Sequence, residues 1–570
     1  RDSVASRGLG DVYKRQSLAC GLAKTRDMEG PGSGIGNVVA VIGDGSLSSG
    51  VAFEGLNNAA EQGGNLIIVF NDNEMSIAGD FGGMYGPLAR LRASGGTAQP
   101  NLFNAFGLDY RYVEAGNDVS ALVAAFEEVH NIDHPVVVHI HTLKGAGCDG
   151  AGHVAGTSSA SVGNVHEPDS AVSDTGVRPT SNVLHSEPWH SDHCNLSDHE
   201  PHEGQCEASH WQNPDSAIGK ADNPRKHYGK MAMAALEPRF ADEPGLVVIS
   251  PATPGSNGIT HEFRERAGSH YVDTGITESH AVAYAAGIAR AGGTPVVATT
   301  ASFFQRAYDQ FFQEMSLNRS RVTVLDFLGG VSASDNTHSG AYDVAMFANI
   351  PGVTMLAPTS ADEYLADLAW ATAPSGATHA PDGPVVIRVP GEPLLSAERD
   401  PGLLPLTGGR FAAHPRPATR SHGDDGDRVL DWRVNQAGSA VALIGLGNAY
   451  PLAEQTAAAL CADHGITATV IDPRQCSSLD CATLESLRDG HTLVVTLEDG
   501  QREGGWGEKV TAYYANHHVS ECGAAGHDRN PRVLNFGANK EFTDRVPLDV
   551  LDERYGLTVH QVVESVTRCF

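Results

Sequence analysis

The chain has 570 residues, with 39 basic against 69 acidic side chains and a formal charge of −30. Such a surface repels phosphate backbones and anionic headgroups, which argues against nucleic-acid and membrane partners. No apolar run approaches the roughly 20 residues a membrane helix needs, and nine cysteines without regular spacing fit a reduced, cytoplasmic setting better than a disulfide scaffold.

Residues 1–16, RDSVASRGLGDVYKRQ, lack the apolar centre of a signal peptide and match nothing that follows. They read as a non-native, adapter-derived segment, which would leave the natural N-terminus missing. From Ser17 onward three blocks alternate strand-like and helix-like stretches, the pattern of parallel α/β layers. In the first, residues 17–147, NVVAVIG and NLIIVFN read as buried strands with the helix VAFEGLNNAAEQ between them, followed by the helix DVSALVAAFEEVHN and the strand PVVVHIHT. Residues 148–222 are rich in Ser, His, Asp, Gly and Pro and read as a disordered insertion. Within it His190, His193, Cys194, His199 and His202 reproduce no zinc-finger spacing and lack apolar anchors, so a solvated linker is expected rather than a metal site.

The second block, residues 223–404, holds the strands GLVVIS, TPVVATT, RVTVLDF, VTMLAP and PVVIRVP. Its helices are SHAVAYAAGIARA, FQRAYDQFFQEMSLN and SADEYLADLAWATA. A polar linker is expected over 405–436. The third block, 437–570, begins SAVALIGLG and continues with the helix YPLAEQTAAALCADHG and the strands ATVIDP and HTLVVTLED.

The chemistry starts at VIGDGS. Gly43-Asp44-Gly45 follows the first strand at its carboxyl end, where open α/β sheets bind ligands. Glycines let backbone approach a ligand closely, and a following helix can offer N–H groups to phosphate oxygens. Asp44 would repel a phosphate, so a divalent cation between them is the natural solution. Magnesium favours hard oxygens shared with substrate phosphates. Asn73, ending the next strand, offers a neutral oxygen, and the Met75 carbonyl a further one. Gly-Asp-Gly alone is equally a turn; with Asn73 after the spacer 46–72 it is the thiamin-diphosphate motif.

The chain resembles the 1-deoxy-D-xylulose-5-phosphate synthase family, relatives of transketolase. The resemblance is carried by VIGDGSLSSGVAFEGLNNA, NDNEMSIA, TGITESHAVAYAAGIARAGGTPVVATTASFFQRAYDQ, VIDPRQCSSLD and VVTLEDGQREGGWGEKV. It implies two thiamin-diphosphate-binding α/β domains with parallel sheets plus a transketolase C-terminal-type α/β domain, working as a homodimer. It implies condensation of pyruvate with glyceraldehyde 3-phosphate and loss of carbon dioxide, with thiamin diphosphate and Mg2+ as cofactors. By the same resemblance Asp44, Asn73 and the Met75 carbonyl hold magnesium, and Gly45 and Ser46 line the diphosphate. Glu278 activates the aminopyrimidine from an apolar pocket that keeps its carboxyl protonated. Phe303 stacks on the pyrimidine, Arg306 contacts substrate, and His338 and His210 handle protons at the active site.

Four positions depart from the family. Phe327 stands where an arginine grips the acceptor's phosphate, with Ser334 at an acidic position and Asp335 beside it. Gly391 replaces a second arginine while Arg388 is kept, and Cys148 replaces a tyrosine near the diphosphate. Losing two arginine–phosphate contacts, at about 1.5–3 kcal/mol each, predicts weaker capture of a phosphorylated aldehyde or a different acceptor. Transketolase-type ketol transfer and a non-catalytic cofactor-binding paralogue are the alternatives.

Overall fold

The computed structural model describes residues 15–29, 36–62, 64–75, 81–146, 223–374, 376–377, 380–399, 432–517 and 530–570. The insertion 148–222, with His210 and the His/Cys cluster, lies outside them, as do Cys148 and most of the expected linker. The described chain divides into two units, one on residues up to 220 apart from 48–50, the other on the remainder.

In the first unit β1 (Val38–Gly43), β2 (Leu66–Asp72), β3 (Asp109–Val113) and β4 (Val136–His141) form a parallel sheet in the order β1-β2-β4-β3. The apolar runs of β2 and β4 are buried on both faces, as a parallel sheet covered by helices requires. β3, DYRYV, carries two charged side chains and lies at a sheet edge, half-buried, so no apolar run announced it. The helix Val119–Val129 starts where the Asp118 carboxylate accepts from the Ser120 and Ala121 N–H groups. Arg15 and Gln16, assigned to the non-native segment, open the helix Arg15–Glu29. Gln16 is buried, and a Cβ at Gly55 would meet its Cβ at 2.6 Å, so Gln16 packs against the helix Gly50–Gln62.

The second unit holds two sheets. β5 (Leu246–Ser250), β6 (Tyr271–Asp273), β7 (Thr294–Thr300), β8 (Thr323–Phe327), β9 (Thr354–Leu356) and β10 (Val385–Arg388) run parallel in the order β6-β5-β7-β8-β10-β9. The helix Glu278–Arg290 packs through Ala281, Val282, Ala285 and Ala286, a stripe at helical spacing whose small residues let it lie close to the sheet. The single helix expected over FQRAYDQFFQEMSLN is instead three pieces: a 3-10 helix Ala301–Ala307, a short α turn Tyr308–Gln310 and a π-helix Phe311–Leu317. Three residues per turn put Ala301, Phe304 and Ala307 on one buried line, a period that helical-pattern reading misses.

β11 (Arg433–Gln436), β12 (Ala440–Gly445), β13 (Thr469–Asp472), β14 (His491–Gln501) and β15 (Arg532–Ala538) form the other sheet in the order β11-β13-β12-β14-β15, with only β11 antiparallel. β11 lies inside the stretch expected to be linker. RVNQ has no apolar signal, but it pairs with β13, and Trp432 just before it buries against Trp506 with ring centroids 5.5 Å apart. The helix Tyr450–His464 ends on Gly465 at φ 66°, a left-handed cap that glycine adopts without strain. The two sheets of this unit share one core, in which Phe304, Phe311 and Phe347 lie with Trp432, Ile471 and Trp506.

Candidate active site

In the first unit the strand ends bring Asp44 and Asn73 together. Asp44 is 3 % exposed. One of its carboxylate oxygens accepts from the Gly45 N–H at 2.7 Å, the other from the Asn73 and Met75 N–H groups at 3.0 and 3.2 Å. Burial raises the Asp44 carboxyl above its ordinary range, and the charge of Asp72 adds to it, while the three N–H groups work the other way. Among the described residues no cationic side chain pairs with it. A buried acid lacking a counter-charge, with the Asn73 carboxamide oxygen accepting from the same Met75 N–H at 3.2 Å, is a donor set that suits a hard divalent ion. No cluster of three or more His, Cys, Asp or Glu side chains that could hold a metal ion occurs among the described residues, the surroundings of Asp44 included. Gly45 and Ser46 are buried next to Asp44, in a helical turn of four residues.

The turn that carries Asn73 is braced by residues the sequence reading left unassigned. Asp72, fully buried, accepts from Arg92 at 2.6 Å and the Glu74 N–H at 3.2 Å, and its carboxylate lies 3.0 Å from His139 Nε2. His139 Nδ1 lies 2.7 Å from the Tyr110 hydroxyl, so a neutral ring with its proton on Nε2 satisfies both neighbours. Burial lowers the His139 pKa, the Asp72 interaction opposing it. Burial alone would raise Asp72, but His139 and Arg92 outweigh it and hold the carboxyl below its usual range. Arg92 and His141 also grip Glu74, whose backbone sits at φ 59°, so the turn 73–75 is fixed from several sides. The sequence signal was faint: a histidine in an apolar strand and tyrosines in a polar one.

In the second unit Glu278 opens its helix and is 4 % exposed. Its carboxylate is buried, as expected, but its immediate partner is the Arg306 guanidinium rather than an apolar wall. Ser279 Oγ donates to the Arg306 carbonyl at 2.5 Å and ties the two segments together. Phe303 and Arg306, one 3-10 turn apart, share a face of their helix. The Phe303 ring meets His338 edge-on at 5.1 Å between centroids. His338 Nδ1 lies 3.1 Å from the Asp335 carboxylate, which also accepts from the Thr337 hydroxyl at 2.6 Å. Burial would raise Asp335, but His338 and Thr337 prevail and hold it well below the usual carboxylate range. Asp335, one residue past Ser334, thus supplies an acid to the loop. Glu278, Arg306, Phe303 and His338 are brought together, while His210 lies outside the described residues.

Two of the departures from the family pattern, Phe327 and Gly391, have a structural account. Phe327, the last residue of β8, is fully buried among Leu325, Leu356 and Ile387. Arg388 is 4 % exposed and bound by carboxylates on both sides: its Nε donates to Asp343 at 2.7 Å and an Nη donates to Asp499 at 2.9 Å. Asp326 lies against the pair, its carboxyl raised well above the ordinary range by burial and by the Asp343 charge. Gly329 and Gly330 make room for this cluster. A Cβ on the first would fall 2.2 Å from an Asp343 oxygen, and one on the second, at φ +82°, 2.1 Å from an Asp499 oxygen. The Gly391 N–H donates to Asn448 Oδ1 at 2.8 Å. Phe327, Arg388 and Gly391 thus present no uncommitted cation.

Comparison with known proteins agrees with this architecture. Family models match for 1-deoxy-D-xylulose-5-phosphate synthase over residues 12–99, the transketolase pyrimidine-binding domain over 226–393 and the transketolase C-terminal domain over 430–562. The 1-deoxy-D-xylulose-5-phosphate synthase of Symbiobacterium thermophilum is 31 % identical, over 96 % of this chain and 76 % of its own length. That of Acidobacterium capsulatum is 29 % identical, over 98 % of this chain and 80 % of its own. A crystal structure of transketolase from Campylobacter jejuni, 16 % identical, covers 98 % of this chain and 81 % of its own length at a TM-score of 0.44, too low to carry anything further. With a relative above 30 % identity matched across three quarters of its length, and consecutive domain models of one enzyme type along the sequence, the chain belongs to the 1-deoxy-D-xylulose-5-phosphate synthase family.

Proposed function

We propose that the chain carries out its family's reaction with the residues assigned above: condensation of pyruvate with glyceraldehyde 3-phosphate, releasing carbon dioxide and giving 1-deoxy-D-xylulose 5-phosphate. The observation that carries the residue assignment is Asp44, a buried acid without a cationic partner among the described residues, next to Asn73 at adjoining strand ends. When bound, thiamin diphosphate would supply a nucleophilic carbon towards the pyruvate keto group and, in its cationic thiazolium ring, a sink for the electrons freed by decarboxylation. Asp44, the Asn73 carboxamide and the Met75 carbonyl give magnesium hard oxygens, and Gly45 and Ser46 offer hydrogen bonds to the diphosphate. The Glu278 carboxyl hydrogen-bonds the aminopyrimidine ring nitrogen, with Arg306 orienting it and bordering the substrate. Phe303 supplies a stacking face. His338, held through Nδ1 by Asp335, moves a proton at the acceptor's carbonyl oxygen from its other nitrogen. His210 joins this set on sequence resemblance alone. The same reading gives a cytoplasmic homodimer, with a diphosphate domain at 17–147 that also takes in Gln16, a pyrimidine domain at 223–404 and a C-terminal domain from β11 onward.

The test is product formation. The chain incubated with pyruvate, glyceraldehyde 3-phosphate, thiamin diphosphate and magnesium should yield 1-deoxy-D-xylulose 5-phosphate and carbon dioxide in equal amounts, and Asp44→Asn should abolish both. A folded chain that releases no carbon dioxide from pyruvate would overturn the proposal.

A further inference from the structure

We propose a second, non-catalytic anion site at the amino edge of the six-stranded sheet, built by Arg290, Arg319 and Arg321 and sized for a phosphoryl group or an equally compact oxyanion. A cavity of about 170 Å³ opens there, and Thr294, Asn318 and Ser320 line it with the three arginines. Thr294 is the first residue of β7 and Arg321 lies just ahead of β8, whereas Phe303 and Arg306 follow the carboxyl end of β7 and His338 that of β8. A strand of this length spans about 20 Å, so the cavity is remote from Glu278 and His338. It does not depend on the reaction proposed above.

Three observations point to an anion. In a chain of net charge −30, three arginines, two of them exposed, line one small cavity. Arg290 and Arg319 make no ion pair or side-chain hydrogen bond among the described residues, and Asp382 is the carboxylate whose field reaches Arg321. Arg321 donates from an Nη to the Ala373 carbonyl at 2.6 Å, yet its Nε is buried with no acceptor. A buried donor left without a partner is costly. Arg319 also sits at φ +50°, a left-handed position that glycine or asparagine would fill with less strain.

The competing explanation is that arginines merely neutralise helix ends, since the helix Glu278–Arg290 terminates here. That accounts for Arg290 but leaves the Arg321 Nε without an acceptor. The Ser320 hydroxyl already donates to the Glu314 carbonyl, so the guanidinium groups and the Thr294 hydroxyl are the donors a ligand would meet. Cavities for nucleotides and drug-sized ligands run from about 300 Å³ upward, so the occupant is smaller.

The experiment is calorimetric titration of the full chain with inorganic phosphate, against sodium chloride at matched ionic strength. Saturable binding of phosphate is expected, and the exposed double substitution R290Q/R319Q should weaken it by about tenfold or more, as loss of charge-assisted contacts implies. If the double variant loses its fold, R290Q alone carries the comparison with an expected loss of about threefold. Wild-type protein that shows no saturable phosphate binding below about 10 mM, a free energy too small for a built site, overturns the proposal. So does binding that the substitutions leave unchanged.

Discussion

Replacing Arg388 with methionine takes the cation out of the buried cluster and leaves a side chain of comparable length. Asp343 is fully buried and Asp499 is 17 % exposed, so water cannot take over the lost pairing at Asp343. Removing one partner of a buried ion pair costs about 3–5 kcal/mol, because the other charge is stranded. The stranded carboxyl can instead take up a proton, the direction in which burial already pushes the adjacent Asp326. The sign follows from linkage. A carboxyl whose folded pKa is raised leaves the folded state binding more protons than the unfolded one above the unfolded pKa, so stability falls as pH rises. The loss in R388M should therefore be near its full value at pH 8 and smaller at pH 5. Urea unfolding followed through Trp432 and Trp506, both buried in this unit, reads it. Adding Asp343→Asn should recover about 2 kcal/mol by removing the stranded charge. A loss under about 1 kcal/mol at pH 8, or an equal loss at both pH values, would refute the reasoning.

Gly330→Ala forces a side chain into left-handed backbone and against Asp499, at about 2–4 kcal/mol, whereas Gly490→Ala, with open space at its Cβ, should cost under about 0.5 kcal/mol; equal thermal shifts would contradict the packing. Burial raises Glu498 to about 7 from 4.5, against the opposing Trp506 and Gly507 N–H groups. Its raised folded pKa makes stability decline from about pH 4.5 to 7, by at most about 3 kcal/mol. Glu498→Gln should remove that part of the slope and leave a remainder from Asp472, also raised to about 7; an unaltered slope would exclude Glu498 as its source. With Phe327 in the core and Arg388 committed to two carboxylates, the KM for glyceraldehyde 3-phosphate should lie above the micromolar range, and a micromolar value would show that another cation holds the phosphate.

The apolar strands were legible because a covered parallel sheet demands unbroken hydrophobic runs, and LIIVF and VVVHI carry them. Edge strands were not: β3 and β11 are polar, and only their pairing partners make them strands. The 3-10 helix at 301–307 was misread because a period of three mimics a helical pattern over so short a span. Asp44, Asn73 and Glu278 were readable as motif residues at strand and helix ends. Their supports were not, since Asp72, His139, Tyr110 and Asp335 act through contacts between segments or neighbours that no spacing rule encodes. Arg388 was legible only as a position kept from the family pattern, and its two carboxylate partners reveal a structural clamp.

The central claim is that Glu278 activates a thiamin diphosphate held through Asp44. Proton–deuterium exchange at the cofactor's C2, followed by rapid quench and NMR in the presence of magnesium, tests it most directly. Wild-type chain should accelerate exchange well above free cofactor, and Glu278→Ala should return it to the free rate while cofactor binding persists. Exchange at the free rate in wild type, or undiminished exchange in Glu278→Ala, would contradict the account.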